Sequence, residues 1–455
     1  MESKDYLGRE DILKLFIKLS LPAVIAQIVN LLYNMVDRMY IGHIPKIGAD
    51  ALTGVGVAMP VIIIITAFSA LLAMGGAPLA AIAMGRDDEE EAKRIMETSY
   101  SSLVFTAIIL TIITFIFRNP ILLAFGASET TVEYGSQYLG IYSLGTIFIM
   151  TVMGMNLFIN TQGFVKEGMV TILIGAILNI ILDPIFIFLL KMGVRGAAIA
   201  TVISQGISAL WVIKFLSSRK SILRLDPFHF KWEKQLFLGN IALGVSPFIM
   251  QSTESLLQIA FNTSLSKYGG DFYVGAMIIV GTVVQLCLLP LRGIAQGGQP
   301  ILSYNYGAKK YHRVRKAFHI QFFTSITLSI LFFLGVTYRP DIFARLFTKD
   351  EEFIKVVVGV MNIYMKGVFI LGVQISCQYS FLALGQAKQS LLLALLRKIV
   401  LLIPLIYILP NFFEDKIFAV ILAEPVADIL AGCITGFSFY IFMKKHIISK
   451  LQVEM

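Results

Sequence analysis

Four oxygen-bearing side chains stand inside apolar sequence, where their desolvation is costly and their presence marks possible chemistry. They are Asp37, in Asn34-Met35-Val36-Asp37-Arg38, then Asn179 and Asp183, in Asn179-Ile180-Ile181-Leu182-Asp183-Pro184, and finally Thr201. A spacing of four puts Asn179 and Asp183 on one face of a helix. Pro184 has no amide hydrogen, so it loosens the turn around Asp183 and leaves a carbonyl free to help hold a cation or water. If the four converge, two carboxylates, an amide oxygen and a hydroxyl make an oxygen-rich cation site or a proton site. A blander reading makes Asp37 an interfacial partner of Arg38 and leaves Asn179 and Asp183 as bonds between neighbouring helices. Residue types and spacing alone leave both readings open.

The second half of the chain holds further ionisable residues in apolar runs: Glu254, Arg292, Lys366, Arg397, Lys398, and Glu424 and Asp428 one turn apart beside Pro425. Glu254 either attracts an organic cation or pairs with Arg292, Lys366 or Arg397, and four basic residues in the same half favour pairing. Glu424 and Asp428 are open to the same two readings. Asn156, Asn160, Gln251, Gln285, Arg292, Tyr364 and Gln378 join Glu254 as candidates for lining a cavity. Each polar one serves equally well as an interhelical hydrogen bond. The 18 methionines and 34 phenylalanines suit a lipophilic cavity but pack against lipid just as readily.

Enzyme chemistry finds no support. The five histidines form no His-Glu-x-x-His helix, and no phosphate-cradling Gly-x-x-x-x-Gly-Lys-Ser/Thr loop occurs, so neither metalloprotease nor ATP-driven activity is indicated. Gly54 and Gly56 lie at the mouth of an apolar run with no strand before them, which removes a dinucleotide reading. Cys287, Cys377 and Cys433 are odd in number and lie in apolar runs, implying neither a disulfide nor a metal site. No cofactor is expected.

The elements that must position these residues are membrane helices. Apolar residues make up 57% of the 455, charged ones 15%, and mean hydropathy is +0.78, the balance of a chain whose solvent is lipid. Twelve runs reach the roughly 20 residues that a bilayer core requires. They cover 13–37, 53–77, 97–117, 138–160, 169–190, 196–216, 239–262, 273–296, 317–337, 354–378, 389–409 and 417–443. They are too long and continuous for barrel strands, and the first has no small-residue cleavage site after it, so it reads as a retained helix. With the N-terminus inside, inner segments hold 23 Lys/Arg and outer ones 11, which places both termini in the cytoplasm. The net charge of +9 is therefore a topology signal, and no basic patch interleaved with aromatics points to nucleic acid.

The runs repeat. Gly75, Gly76, Pro78 and Gly85 recur as Gly297, Gly298, Pro300 and Gly307 at an offset of 222, as do Tyr142 and Gly163 in Tyr364 and Gly385. Pro22 and Asp37 fall on Pro247 and Asn262 at 225. The expected organisation is a six-helix lobe over 1–215, a cytoplasmic linker over 216–235 and a second six-helix lobe over 236–455. Pro22 and Pro184 are the expected hinges, since each removes a restraining backbone bond.

At this point the sequence resembles the multidrug and toxic compound extrusion (MATE) transporters, along its whole length. The resemblance rests on the proline-containing first run with Val36-Asp37-Arg38-Met39-Tyr40-Ile41-Gly42, on Asn179 to Pro184, on Gly193-Val194-Arg195-Gly196-Ala197-Ala198-Ile199-Ala200-Thr201, and on Gln296-Gly297-Gly298-Gln299-Pro300. It implies an all-α integral membrane fold of 12 transmembrane helices, with two pseudo-symmetric six-helix lobes forming a V around a central cavity. It also implies exchange of inward Na⁺ or H⁺ for outward lipophilic, mostly cationic drugs. Asp37, Asn179, Asp183 and Thr201 match a coupling-cation site, holding Na⁺ if sodium drives transport. A second branch of the family uses carboxylates of helices seven and ten; Glu254 matches the first, but Leu371-Gly372-Val373-Gln374 stands where the other acid belongs. The implied setting is the inner membrane of a prokaryote, and the implied state a monomer. The alternative is a flippase for a lipid-linked saccharide, to which Arg292, Lys366, Arg397 and Lys398 lend substance.

Overall fold

The computed structural model describes residues 6–454 except 46, 130, 348 and 349, and among these no strand occurs. The spanning helices are α1 (Ile12–Gly42), α2 (Asp50–Gly85), α3 (Glu89–Ala124), α4 (Thr131–Leu144 with Thr146–Thr161), α5 (Val165–Leu189) and α6 (Val194–Ser217). The second set is α7 (Lys234–Gly270), α8 (Phe272–Gly307), α9 (Tyr311–Tyr338), α10 (Glu351–Ala383), α11 (Ala387–Asn411) and α12 (Lys416–Leu451). Among the described residues eleven are single helices long and apolar enough to cross a bilayer, and α4 brings the total to 12 as a bent pair.

Large apolar side chains stay exposed at membrane depth, among them Phe105 on α3, Leu210 on α6 and Phe437 on α12. Helices apolar on every side can shed that surface only into lipid. Their ends carry polar caps: Asp88 accepts from the Glu91 amide at 2.8 Å, Asp350 from the Glu352 and Phe353 amides at 3.0 and 3.2 Å, and Asp415 from the Phe418 amide at 2.9 Å. Cys287, Cys377 and Cys433 are free thiols.

One expected run is not continuous. The segment read as 138–160 is a pair of helices that meet at 58° around Gly145. A Cβ on Gly145 would stand 2.6 Å from the Val202 side chain, so the absence of a side chain lets the bend press against α6. Between α7 and α8 the chain turns at Gly270, whose φ of 69° suits glycine.

The chain packs as two compact units, divided inside α1 and inside α7. The first comprises Ile25–Gln251 with the residues up to Leu7, and the second Gly8–Val24 with Ser252–Met455. In the first, α2 and α7 touch backbone to backbone: a Cβ on Gly75 would lie 1.9 Å from the Asn240 carbonyl, and one on Gly244 1.8 Å from the Leu71 carbonyl. The second repeats this crossing between α8 and α1, where a Cβ on Gly297 would lie 2.3 Å from Ser20 Cα and one on Gly293 2.6 Å from Val24 Cα. The repeat seen in sequence at Gly75 and Gly297 is thus one close helix crossing built twice.

The 216–235 segment is not a loose connection. The buried Gln162 side-chain oxygen, at the end of α4, accepts from the Ile222 amide at 2.7 Å, the Leu223 amide at 2.9 Å and Ser221 Oγ at 3.0 Å. Ser101 donates to the Lys231 carbonyl at 2.8 Å, and Lys93 and Lys231 flank the buried Glu97 at 3.6 and 3.5 Å.

Candidate functional site

In the first unit the four predicted oxygens converge. Asp183 is completely buried at the end of α5, and one turn back Asn179 donates to Asp183 Oδ1 at 3.1 Å. The same amide reaches Thr201 Oγ1, on α6, at 3.4 Å. Asp37, buried on α1, brings its carboxyl close to that of Asp183. The sequence explains the local path: Pro184 ends the regular α-turns of α5, and a wider π-helical turn follows over Ile185–Leu189. Gly193, at φ 56°, then reverses the chain, and Gly196 allows the first turn of α6 to lie on the Phe186 backbone, which sets Thr201 beside Asn179.

The decisive feature is what the cluster lacks. Asp37 Oδ1, Asn179 Oδ1 and Asp183 Oδ2 are all buried and accept no hydrogen bond. Buried acceptors normally have a donor, and leaving one unmet costs about 1–3 kcal/mol. Three at one place are unmet acceptors of the kind a small cation or a proton binds. Among the described residues no group of three or more His, Cys, Asp or Glu could hold a metal ion.

Sequence reading missed the aromatic wall of this site. Tyr138 on α4 lies beside Thr201, and Tyr33 and Tyr142 lie close enough to Asp37 to feel its charge. Tyr138 and Tyr142 stack at 5.9 Å. Tyr138 stands four before Tyr142, a spacing that was available in sequence, but one such tyrosine pair in so aromatic a chain carries no signal by itself.

The second unit holds an ion-pair network at Glu254. The sequence offered Arg292, Lys366 or Arg397 as its partner, whereas the side chain that binds Glu254 is Lys398. The reason is local: Leu396–Leu402 is π-helical, so consecutive residues diverge less around the axis and both Arg397 and Lys398 turn inward. Arg397 forks between the α12 acids, with Nε 2.7 Å from Asp428 Oδ1 and Nη2 3.0 Å from Glu424 Oε1. Arg292 adds positive charge beside Glu254, and Lys366 is exposed.

The remaining candidates are spread out. Gln378 donates to the Ser390 carbonyl at 2.8 Å and Asn156 to the Gly168 carbonyl at 3.2 Å, both as ties between segments. Thr66 reaches Gln251 at 3.5 Å, and the Tyr364 ring lies 6.3 Å from that of Phe261, tilted by 57°. Gln285 is half-buried, as is Asn160, whose buried Oδ1 is without a donor. Pro22 lies inside α1, two residues before the point where the compact units divide.

The MatE family model matches twice, over residues 22–185 and 247–408, which together take in most of the chain and reproduce the internal repeat. The chain belongs to the MatE family. Among MATE relatives, the multidrug export protein MepA of Staphylococcus haemolyticus (strain JCSC1435) is 25% identical over 432 residues, 94% of each chain. A solved multidrug resistance MATE family transporter of the MOP superfamily, in an outward-facing conformation, superposes with a TM-score of 0.90 at 20% identity, covering 98% of both chains. A MATE in a bent conformation gives 0.90 at 21% identity, with the same coverage. These likenesses establish the helical fold of a multi-pass membrane protein.

Proposed function

We propose that this protein is a secondary active exporter that exchanges Na⁺ or H⁺ for lipophilic, mostly cationic compounds by alternating access. It works as a monomer in the cytoplasmic membrane of a prokaryote, with both termini inside. The observation that carries this reading is the set of three donorless buried oxygens on Asp37, Asn179 and Asp183. An arriving ion or proton offsets one of the two carboxylate charges and answers part of that unmet acceptor set. Because Asp37 belongs to α1, Asn179 and Asp183 to α5 and Thr201 to α6, occupancy draws α1 toward α5 and α6. Pro22 has already removed one restraining bond from α1, so the helix bends there at low cost.

Release of the cargo follows from the same change, since a ligand shifts an equilibrium only by binding one arrangement more tightly. The lobes proposed to move are 1–215 and 236–455, with the first halves of α1 and α7 exchanging neighbours between them. The compact units depart from these bounds inside the two helices: Gly8–Val24 packs with the second unit, and the chain up to Gln251 packs with the first. The MepA relatives, named as multidrug export proteins, support the cargo class.

A flippase for a lipid-linked saccharide is not favoured. Such a polyanion needs open positive charge, and Arg397 and Lys398 are both engaged by carboxylates. The test is ethidium uptake into everted vesicles energised by an ion gradient. Uptake that stops when both the Na⁺ and the pH gradients are collapsed supports exchange, and uptake indifferent to both rejects it.

A further inference from the structure

Glu254 and Lys398 are an unequal pair. The Glu254 side chain is 51% exposed, while the Lys398 side chain is only 6% exposed. The carboxylate thus presents an open face, whereas the ammonium that answers it comes from the packed interior. The α12 acids stand close by: Glu424 feels the charge of both Glu254 and Lys398, and Tyr364 lies among all three carboxylates. Lys398 therefore has a second acid within electrostatic reach, Glu424, and the longest and most flexible stem of the six ionisable residues after arginine.

We propose that Lys398 is a tethered cation that occupies the carboxylate of Glu254 and is displaced onto Glu424 when a cationic cargo binds. This rests on the reading of the protein as an exporter of cationic compounds, and it makes Lys398 the residue that sets which cations bind. A small ion such as Na⁺ gains nothing over the ammonium already present, so the second unit's acids are closed to the coupling ion. A bulky lipophilic cation also buries apolar surface, which offsets the loss of the internal pair. A divalent lipophilic cation adds a second attraction to Glu254, because Coulomb energy scales with ligand charge. The network thus admits organic cations and excludes inorganic ones by internal competition. Its three positive and three negative side chains sum to zero before cargo binds.

The experiment measures binding of tetraphenylphosphonium and of the divalent cation dequalinium to the purified full-length protein, with a melting temperature for every variant. Lys398→Met leaves half of the Glu254 side chain exposed, so the carboxylate is not stranded in the packed interior. The expected result is about tenfold tighter tetraphenylphosphonium binding, the loss of one competing charge being worth about one decade. Na⁺ then competes with the dye-like cation, as it does not in the parent. The double variant Glu254→Gln with Lys398→Met loses both the gain and the Na⁺ competition. If Lys398→Met binds tetraphenylphosphonium no better than the parent, while Glu254→Gln weakens it, the tethered-cation proposal is wrong and the exporter reading stands. If the double variant binds as tightly as Lys398→Met alone, Glu254 is not the anchor, and its role in cargo recognition falls as well. Should Lys398→Met fail to fold, Lys398→Gln carries the same comparison. Failure of both to fold makes Lys398 a residue of stability and overturns the proposal.

Discussion

At the scale of single residues, the central contrast is between Asp37 with Asp183 and the neutral ligands beside them. Changing either acid to asparagine keeps its size and removes the charge that an ion or proton answers. Asp37→Asn and Asp183→Asn are expected to reduce gradient-driven efflux to background, with expression and melting temperature unchanged, since neither leaves a buried charge unpaired. Asn179→Ala and Thr201→Ala should weaken efflux only several-fold in the same assay, because one neutral hydrogen-bonding ligand is worth roughly 0.5–1.5 kcal/mol. These four positions were legible in the sequence because charge and amide groups are rare at membrane depth and Asn179 and Asp183 share a helical face. The partner of Glu254 was not. Choosing among Arg292, Lys366, Arg397 and Lys398 requires the rotation of α11, and the π-helical stretch at Leu396–Leu402 alters that rotation in a way that regular periodicity does not reveal.

At the scale of elements, the structure turns proline and glycine into predictions about bending and docking. Pro22→Ala restores a donor inside α1, and efflux in that variant should fall with an altered dependence on ion concentration. Normal transport with the parental ion dependence places the hinge elsewhere. Gln162 tests the 216–235 segment differently: Gln162→Ala leaves the Ile222 and Leu223 amides without their acceptor. The expected cost is about 1–3 kcal/mol of stability, read as a lower melting temperature. Eleven of the helices were evident from apolar runs alone, but the 58° bend in α4 was not. It depends on Gly145 meeting Val202 from another helix, a tertiary contact that no local pattern carries.

At the scale of the whole molecule, the offset of 222 was legible early and has a physical cause. Gly75 and Gly297 occupy matching close crossings, α2 with α7 in one unit and α8 with α1 in the other. What the offset did not reveal is that these crossings divide α1 and α7 between the two compact units, because that depends on which helices meet. Orientation rests on the excess of inner Lys and Arg and is checked by labelling. A cysteine replacing the exposed Lys220 should react with a membrane-impermeant maleimide only from the cytoplasmic side. Reaction from the outside of intact cells reverses the topology.

The most direct test of ion coupling through Asp37 and Asp183 is ethidium transport in proteoliposomes with Na⁺ and pH gradients imposed separately, comparing the parent with Asp183→Asn. The account predicts that at least one gradient drives transport in the parent and that neither does so in the variant. Transport by Asp183→Asn at the parental rate under the same gradient contradicts it.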